Sequence, residues 1–216
     1  MGEPSKSGWR VVQAQFVISA PDVEGCPPAD RPEVAFAGRS NVGKSSLLNA
    51  LTGRRGLARV SRTPGRTQLL NVFDVELQGP AGARRSIRVV DLPGYGFAAA
   101  RAEIRQSFAP MIEGYLTGRD SLRALVLLVD SRRGAFRDDD LDLLQFASEQ
   151  ELPSLLVATK CDKLGASKRG LLRRTLANEV GAKPRDVLLT SASTGLGISG
   201  PDGLAAELAA LAEPEE

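Results

Sequence analysis

The chain has 216 residues, 42% of them hydrophobic and 5% aromatic, with a formal net charge of +2 and no histidine. That length supports one substantial α/β core and is too short for two large domains. No apolar run approaches the roughly 20 residues of a spanning helix, and the N-terminus lacks the apolar core of a signal peptide.

Two cysteines far apart, Cys26 and Cys161, read as reduced thiols of a cytoplasmic protein. In chain order, apolar runs and alternation predict strands over 12–19 (an edge strand), 34–37, 68–77, 86–91, 122–130, 153–159 and 186–190. Helical patterns fall over 44–52, 101–115, 138–149, 167–180 and 201–211. Strand and helix in alternation imply right-handed crossovers and a mostly parallel sheet of six to seven strands, helices on both faces, with one antiparallel pair over 68–91. The boundaries expected are an N-terminal extension over 1–20, a single domain over 21–212 and an acidic tail over 213–216. Residues 1–10 and 212–216 are expected to be disordered.

The most informative motif follows the strand at 34–37. Gly38, Arg39, Ser40, Asn41, Val42, Gly43, Lys44 and Ser45 read Gly-x4-Gly-Lys-Ser, directly before an amphipathic helix. A strand that ends in such a loop presents backbone N–H groups to phosphate. Lys44 would reach the β- and γ-phosphates, and the Ser45 hydroxyl would ligate Mg²⁺. Further on, Ser61 to Gln68 forms a loop with two threonines, Thr63 and Thr67, either of which could close over the metal. Asp91, Leu92, Pro93 and Gly94 form Asp-x-x-Gly at a strand end. Asp91 would hold Mg²⁺ through water, and the Gly94 N–H would meet the γ-phosphate.

Guanine is read from the next loop. Thr159, Lys160, Cys161 and Asp162 have the (Asn/Thr)-Lys-x-Asp form at the end of an apolar run. The Asp162 carboxylate can accept from guanine N1–H and the N2 amine together, whereas adenine would leave it unpaired. The Lys160 stem can cover the base, and Thr159 keeps a hydroxyl to brace the phosphate loop. At the end of the strand over 186–190, Thr190, Ser191 and Ala192 can offer a backbone N–H to guanine O6.

Taken together, Gly38 to Ser46, Thr63 to Gln68, Asp91 to Phe97 and Thr159 to Asp162 resemble the EngB family, also called YihA or YsxC. The resemblance runs from about Phe16 to the last helix. It implies a Ras-like P-loop GTPase, a single G domain with Mg²⁺ as cofactor, acting in assembly of the large ribosomal subunit and needed for normal cell division and septation. It also implies that Thr67 is the metal-binding threonine, and that Gly65, Arg66, Thr67, Gln68 and Leu69 touch nucleotide. The chain departs from the family in a longer, Gly/Pro-rich hairpin over 78–85 and in an acidic C-terminal tail.

Charge fits a ribosome-docking protein. Residues 201–216 hold five of the 26 acids and no base, leaving 28 basic against 21 acidic residues in the rest of the chain. Basic clusters recur at Arg54 and Arg55, at Arg84, Arg85 and Arg88, at Arg132, Arg133 and Arg137, and at Lys168, Arg169, Arg173 and Arg174. They suit salt-sensitive, non-sequence-specific contact with ribosomal RNA by a monomer.

Tyr95 stands where many GTPases place a Gln that orients water. Slow intrinsic hydrolysis is therefore expected, carried by Lys44, Thr67 and Gly94, with Arg66 as candidate finger. Families similar in Gly-Arg-x-Asn-x-Gly-Lys-Ser include K⁺-stimulated GTPases, which implies a K⁺ ligand role for Asn41; the alternative is a turn Asn tolerating left-handed geometry. The competing function is a GTP-dependent, non-catalytic adaptor at the division site. Intact Lys44, Ser45, Thr67 and Asp91 favour hydrolysis.

Overall fold

The computed structural model describes residues 8–58, 69–95 and 102–213, without the side chains of 102–109. Among these residues seven strands form one sheet: β1 (Arg10–Ala20), β2 (Glu33–Gly38), β3 (Leu70–Gln78), β4 (Arg84–Asp91), β5 (Leu122–Asp130), β6 (Ser154–Thr159) and β7 (Val187–Leu189). Their spatial order is β1-β3-β4-β2-β5-β6-β7. Pairings from β4 through β7 are parallel, while β3 is antiparallel to both β1 and β4. The sheet therefore holds two antiparallel pairs where the sequence reading expects one. The second arises because β1 runs along β3 from Arg10↔Gln78 to Ala20↔Leu70.

Among the described residues five α-helices cover the sheet: α1 (Lys44–Thr52), α2 (Ala102–Gly118), α3 (Asp138–Glu149), α4 (Ala166–Glu179) and α5 (Leu204–Leu211). Alternation along β5 shows why. Ala124, Val126 and Leu128 pack toward Leu47, Leu48 and Leu51 of α1 and Leu204 and Leu208 of α5. Leu125, Leu127 and Val129 pack toward Tyr115 and Leu116 of α2, Ala147 of α3 and Leu176 of α4. A strand apolar on both faces is the mark of a central strand covered on both sides.

Just before β1, Gly8 and Trp9 are placed against the body of the fold, inside the span expected to be disordered. Trp9 forms an isolated bridge with Gly200, whose N–H donates to the Trp9 carbonyl at 3.2 Å. The Trp9 ring lies against Gly79, where an added Cβ would come within 2.7 Å of it, and Arg85 stands 5.8 Å over the ring. At the other terminus Ala212 is buried and Glu213 pairs with Arg85 at 3.4 Å.

At the sheet end where β2 begins, Glu33 is fully buried. It accepts from Arg88 Nη1 at 3.1 Å, Arg119 Nη2 at 2.6 Å and the Tyr115 hydroxyl at 2.7 Å. The same arginines hold the carbonyls of Pro28 (2.7 Å) and Pro27 (2.5 Å), pinning the loop before β2. This network fixes the pole of the sheet opposite the one that carries the motifs.

Candidate nucleotide-binding site

The motif loops collect at the carboxyl ends of β2, β4, β5, β6 and β7, where sheets of this kind bind ligands. After β2 the chain turns through Gly38 to Gly43 into α1. Gly43 adopts φ 110°, and an added Cβ there would stand 3.4 Å from Lys160 Cε. Among the described residues no side chain caps α1, and no acid lies in its first turn. Its leading amides, at Lys44, Ser45 and Ser46, thus have no intrahelical acceptor and face outward as an anion-binding end.

Strands β2 and β4 part after Phe36↔Asp91 and meet again at an Arg39↔Tyr95 bridge. There the Ser40 N–H donates to the Tyr95 carbonyl at 2.9 Å, and the Ser40 hydroxyl to the Gly94 carbonyl at 3.1 Å. An added Cβ on Gly94 would stand 3.0 Å from Ser40 Oγ and 3.3 Å from its Cα. Inside this fork the Lys44 ammonium donates to the Asp91 carboxylate and to the Leu92 carbonyl at 2.5 Å. Pro93 lies in the irregular stretch between Leu92 and Gly94.

The expected brace is present. Thr159 Oγ1 donates to the Val42 carbonyl at 2.6 Å, with the Val129 carbonyl 3.2 Å away. Lys160, at φ 57°, extends its ammonium to the Asn41 carbonyl at 2.6 Å and to Asp130 at 2.8 Å. Asp162 lies in the short 3-10 turn Cys161–Lys163. Its carboxylate accepts from the Ser191 hydroxyl at 2.7 Å and pairs with Lys163 at 3.0 Å. Those two partners, Ser191 first, lower its pKa to about 2. The Cys161 N–H donates to the Thr190 carbonyl at 3.0 Å, which joins this loop to the one after β7. Ser191 spends its own N–H on the Leu196 carbonyl at 3.0 Å, leaving Ala192 as the backbone donor of that pair.

Two features refine the sequence reading. Asn41 has φ 65°, a left-handed geometry that by itself accounts for Asn at this place. Leu69 is exposed just before β3, whereas Thr63, Gly65, Arg66, Thr67 and Gln68 lie outside the described residues.

Sequence reasoning passed over three groups. Asp130, at the end of β5, is held by Arg132 at 2.7 Å as well as by Lys160, and these bonds overcome burial to push its pKa well below the usual carboxylate range. The Tyr95 hydroxyl donates to Asp140 Oδ1 at 2.8 Å, while Asp140 Oδ2 accepts from the Arg137 N–H and caps α3. Beside it Arg39 pairs with Asp139 at 2.5 Å. The signal for Asp139 and Asp140 was the acidic run that opens α3, which reads equally well as dipole compensation.

The basic clusters also sort differently than expected. Arg88 is buried in the Glu33 network, and Arg85 covers Trp9. Arg54, Arg55, Arg84, Arg132, Arg133, Arg137, Lys168 and Arg174 remain exposed.

Residues 33–160 match the family model described as 50S ribosome-binding GTPase. The probable GTP-binding protein EngB of Rhodospirillum rubrum is 46% identical over 203 residues, covering 92% of this chain and 84% of that protein. Its counterpart in Geobacter sulfurreducens is 42% identical over 201 residues, covering 93% and 92%. Among solved structures, a probable GTP-binding protein EngB aligns with TM-score 0.57 and 25% identity over 77% of this chain and 92% of that one. Aquifex aeolicus Era bound to GDP and AlF4⁻ shares the fold at TM-score 0.66 and 24% identity, over 85% of this chain and 57% of Era.

Proposed function

This chain belongs to the EngB family of GTP-binding proteins, and is a GTPase with a P-loop α/β fold; on that premise we propose that it is a slowly hydrolysing switch whose GTP state docks on large-subunit precursors. The observation that carries the nucleotide reading is the Thr159 hydroxyl on the Val42 carbonyl, 2.6 Å long. It couples the loop that would read the base to the loop that would hold the phosphates.

In this reading Asp162 takes guanine N1–H and N2, Ala192 N–H takes O6, and Lys160 lines the base. The amides of Gly43 to Ser46 hold the phosphates. Lys44 swings from Asp91 to the β- and γ-phosphates, a short movement within one fork. The donors left for a metal are one hydroxyl, Ser45, and one carboxylate, Asp91, with Thr67 assigned by family resemblance. Among the described residues no cluster of three acidic, Cys or His side chains could hold a metal by itself. Such a sparse oxygen set suits Mg²⁺, which keeps waters and relies on substrate phosphates. Bound there, Mg²⁺ would neutralise charge on the β- and γ-phosphates. Gly94 N–H meets the γ-phosphate from the opposite side.

Tyr95 is committed to Asp140 and orients no water, which supports a low intrinsic rate. K⁺ held by the Asn41 side chain is our proposal for supplying the missing positive charge. The ribosomal role rests on the description of the matched family and on exposed arginines and lysines suited to RNA phosphate. The same reading makes the protein necessary for normal division and septation.

Sucrose-gradient sedimentation of lysate with a non-hydrolysable GTP analogue or with GDP tests it. Co-migration with large-subunit precursors in the triphosphate state alone is expected. Absence from every ribosomal fraction would overturn the proposal.

A further inference from the structure

Helix α4 carries, at its fourth residue, a charge that is wrong for its position. Arg169 lies in its first turn, its N–H donating to the Gly165 carbonyl at 3.0 Å, and the turn contains no acid. A cation at a helix N-terminus opposes the helix dipole. It is also half-buried, unlike its neighbour Lys168. Its side chain does not join a solvent-facing basic stripe. Instead Arg169 Nε donates to the Cys161 carbonyl at 2.7 Å.

That carbonyl belongs to the peptide that carries Asp162. Its other donor is the Leu164 N–H, a longer contact of 3.2 Å that closes the 3-10 turn. On the far side of Cys161 the N–H is fixed to Thr190 at 3.0 Å. The residue before it, Lys160, is a non-glycine at φ 57°, a conformation that persists only where the surroundings hold it. Both peptide planes around Cys161 are thus clamped, one by the strand β7 loop and one by a charged donor from α4. The direction in which the Asp162 side chain leaves the backbone depends on the second clamp.

We infer that Arg169 is a positioning residue for base specificity: by holding the Cys161 carbonyl it sets the Asp162 carboxylate square to a bidentate purine edge. The inference rests on the assignment of Asp162 as guanine reader. It predicts selectivity rather than general affinity. A guanine nucleotide uses both carboxylate oxygens, whereas hypoxanthine lacks the exocyclic amine and uses one. A tilted Asp162 therefore loses more with guanine.

The test is competitive binding of GDP and IDP to the full chain and to Arg169→Met, Arg169→Lys and Asp162→Ala, with a thermal melt of each. Arg169→Met keeps the aliphatic stem and removes the donor. GDP affinity should fall about tenfold, the loss expected for one charge-assisted hydrogen bond, with IDP falling less and the GDP/IDP ratio contracting at least about threefold. Arg169→Lys, with a donor but no fixed fork, should recover part of the ratio. If Asp162→Ala collapses the ratio while Arg169→Met leaves it unchanged, Arg169 has no positioning role. A uniform loss of both nucleotides that tracks a lower melting temperature likewise overturns it. If Asp162→Ala leaves the ratio unchanged, the guanine assignment itself is wrong.

Discussion

Single residues in this site answer to backbone geometry before they answer to chemistry. Gly94 is one case, since an added Cβ would meet Ser40 at 3.0 Å for Oγ and 3.3 Å for Cα, the latter part of the backbone and unable to swing away. Gly94→Ala should push the Asp-x-x-Gly turn off the phosphate loop, lowering GTP turnover at least about tenfold while GDP binding changes little. Single-turnover hydrolysis beside GDP titration checks this. Asn41 is the second case. Its φ of 65° accounts for Asn without any ion, so Asn41→Ala mixes backbone strain with loss of the side-chain oxygen. Asn41→Gly tolerates the left-handed geometry and removes the side chain with its oxygen. If K⁺ binds there, parent turnover in KCl exceeds that in NaCl and Asn41→Gly abolishes the difference; equal parent rates in the two salts would remove K⁺ from the account. The pH dependence at Asp162 follows from its depressed pKa, about 2. A carboxylate held that low stays ionised as pH falls from neutrality, so its share of guanine binding should be flat down to about pH 4 and lost only below. A GDP-binding midpoint near pH 4 to 5 that vanishes in Asp162→Ala would contradict it.

The elements carry the couplings that spacing along the chain does not reveal. The motif loops were legible because each is a run of adjacent residues at a strand end, and apolar runs such as 122–130 mark the strands. The Thr159 brace was legible too, since a hydroxyl at that place has one job. The links between Tyr95 and Asp140 and between Arg88 and Glu33 were not. Each joins residues 45 or 55 positions apart, and Asp140, Arg88 and Glu33 each read alone as a surface charge. So Arg88 was counted toward an RNA-facing cluster that it does not belong to. The Gly/Pro-rich turn after β3 likewise gave no hint that Gly79 seats the Trp9 ring. For Glu33, burial disfavours the charge, but Arg119, Tyr115 and Arg88 outweigh it and lower its pKa below the ordinary value. A lowered carboxylate stabilises the fold above its unfolded pKa, near 4.5, and the gain is lost as pH falls through the folded value. Glu33→Gln leaves two buried guanidiniums facing a neutral amide and should cost about 3 to 5 kcal/mol at neutral pH. Urea unfolding measures this, and the gap from the parent should narrow as both are taken to about pH 3.

Across the whole molecule, one pole of the sheet is clamped by the Glu33 network, and the other carries the candidate ligand loops among the described residues. That polarity suits a switch, because the loops can move over a fixed frame. The exposed basic residues gather partly on α4 and the loop after β5, close to the candidate site. Precursor binding should therefore weaken steeply between about 50 and 200 mM salt, as expected for contacts to RNA phosphate. The central claim is that these loops act together as a guanine-specific hydrolytic site. Its most direct test is steady-state hydrolysis of GTP and XTP by the parent chain and by Asp162→Asn. Xanthine presents a carbonyl where guanine presents its amine, and the Asn amide can donate to it. The account predicts that the variant hydrolyses XTP at close to the parent's GTP rate and binds GTP at least about 30-fold more weakly, the cost of a lost bidentate pair. A variant that keeps the parent's preference for GTP would contradict it.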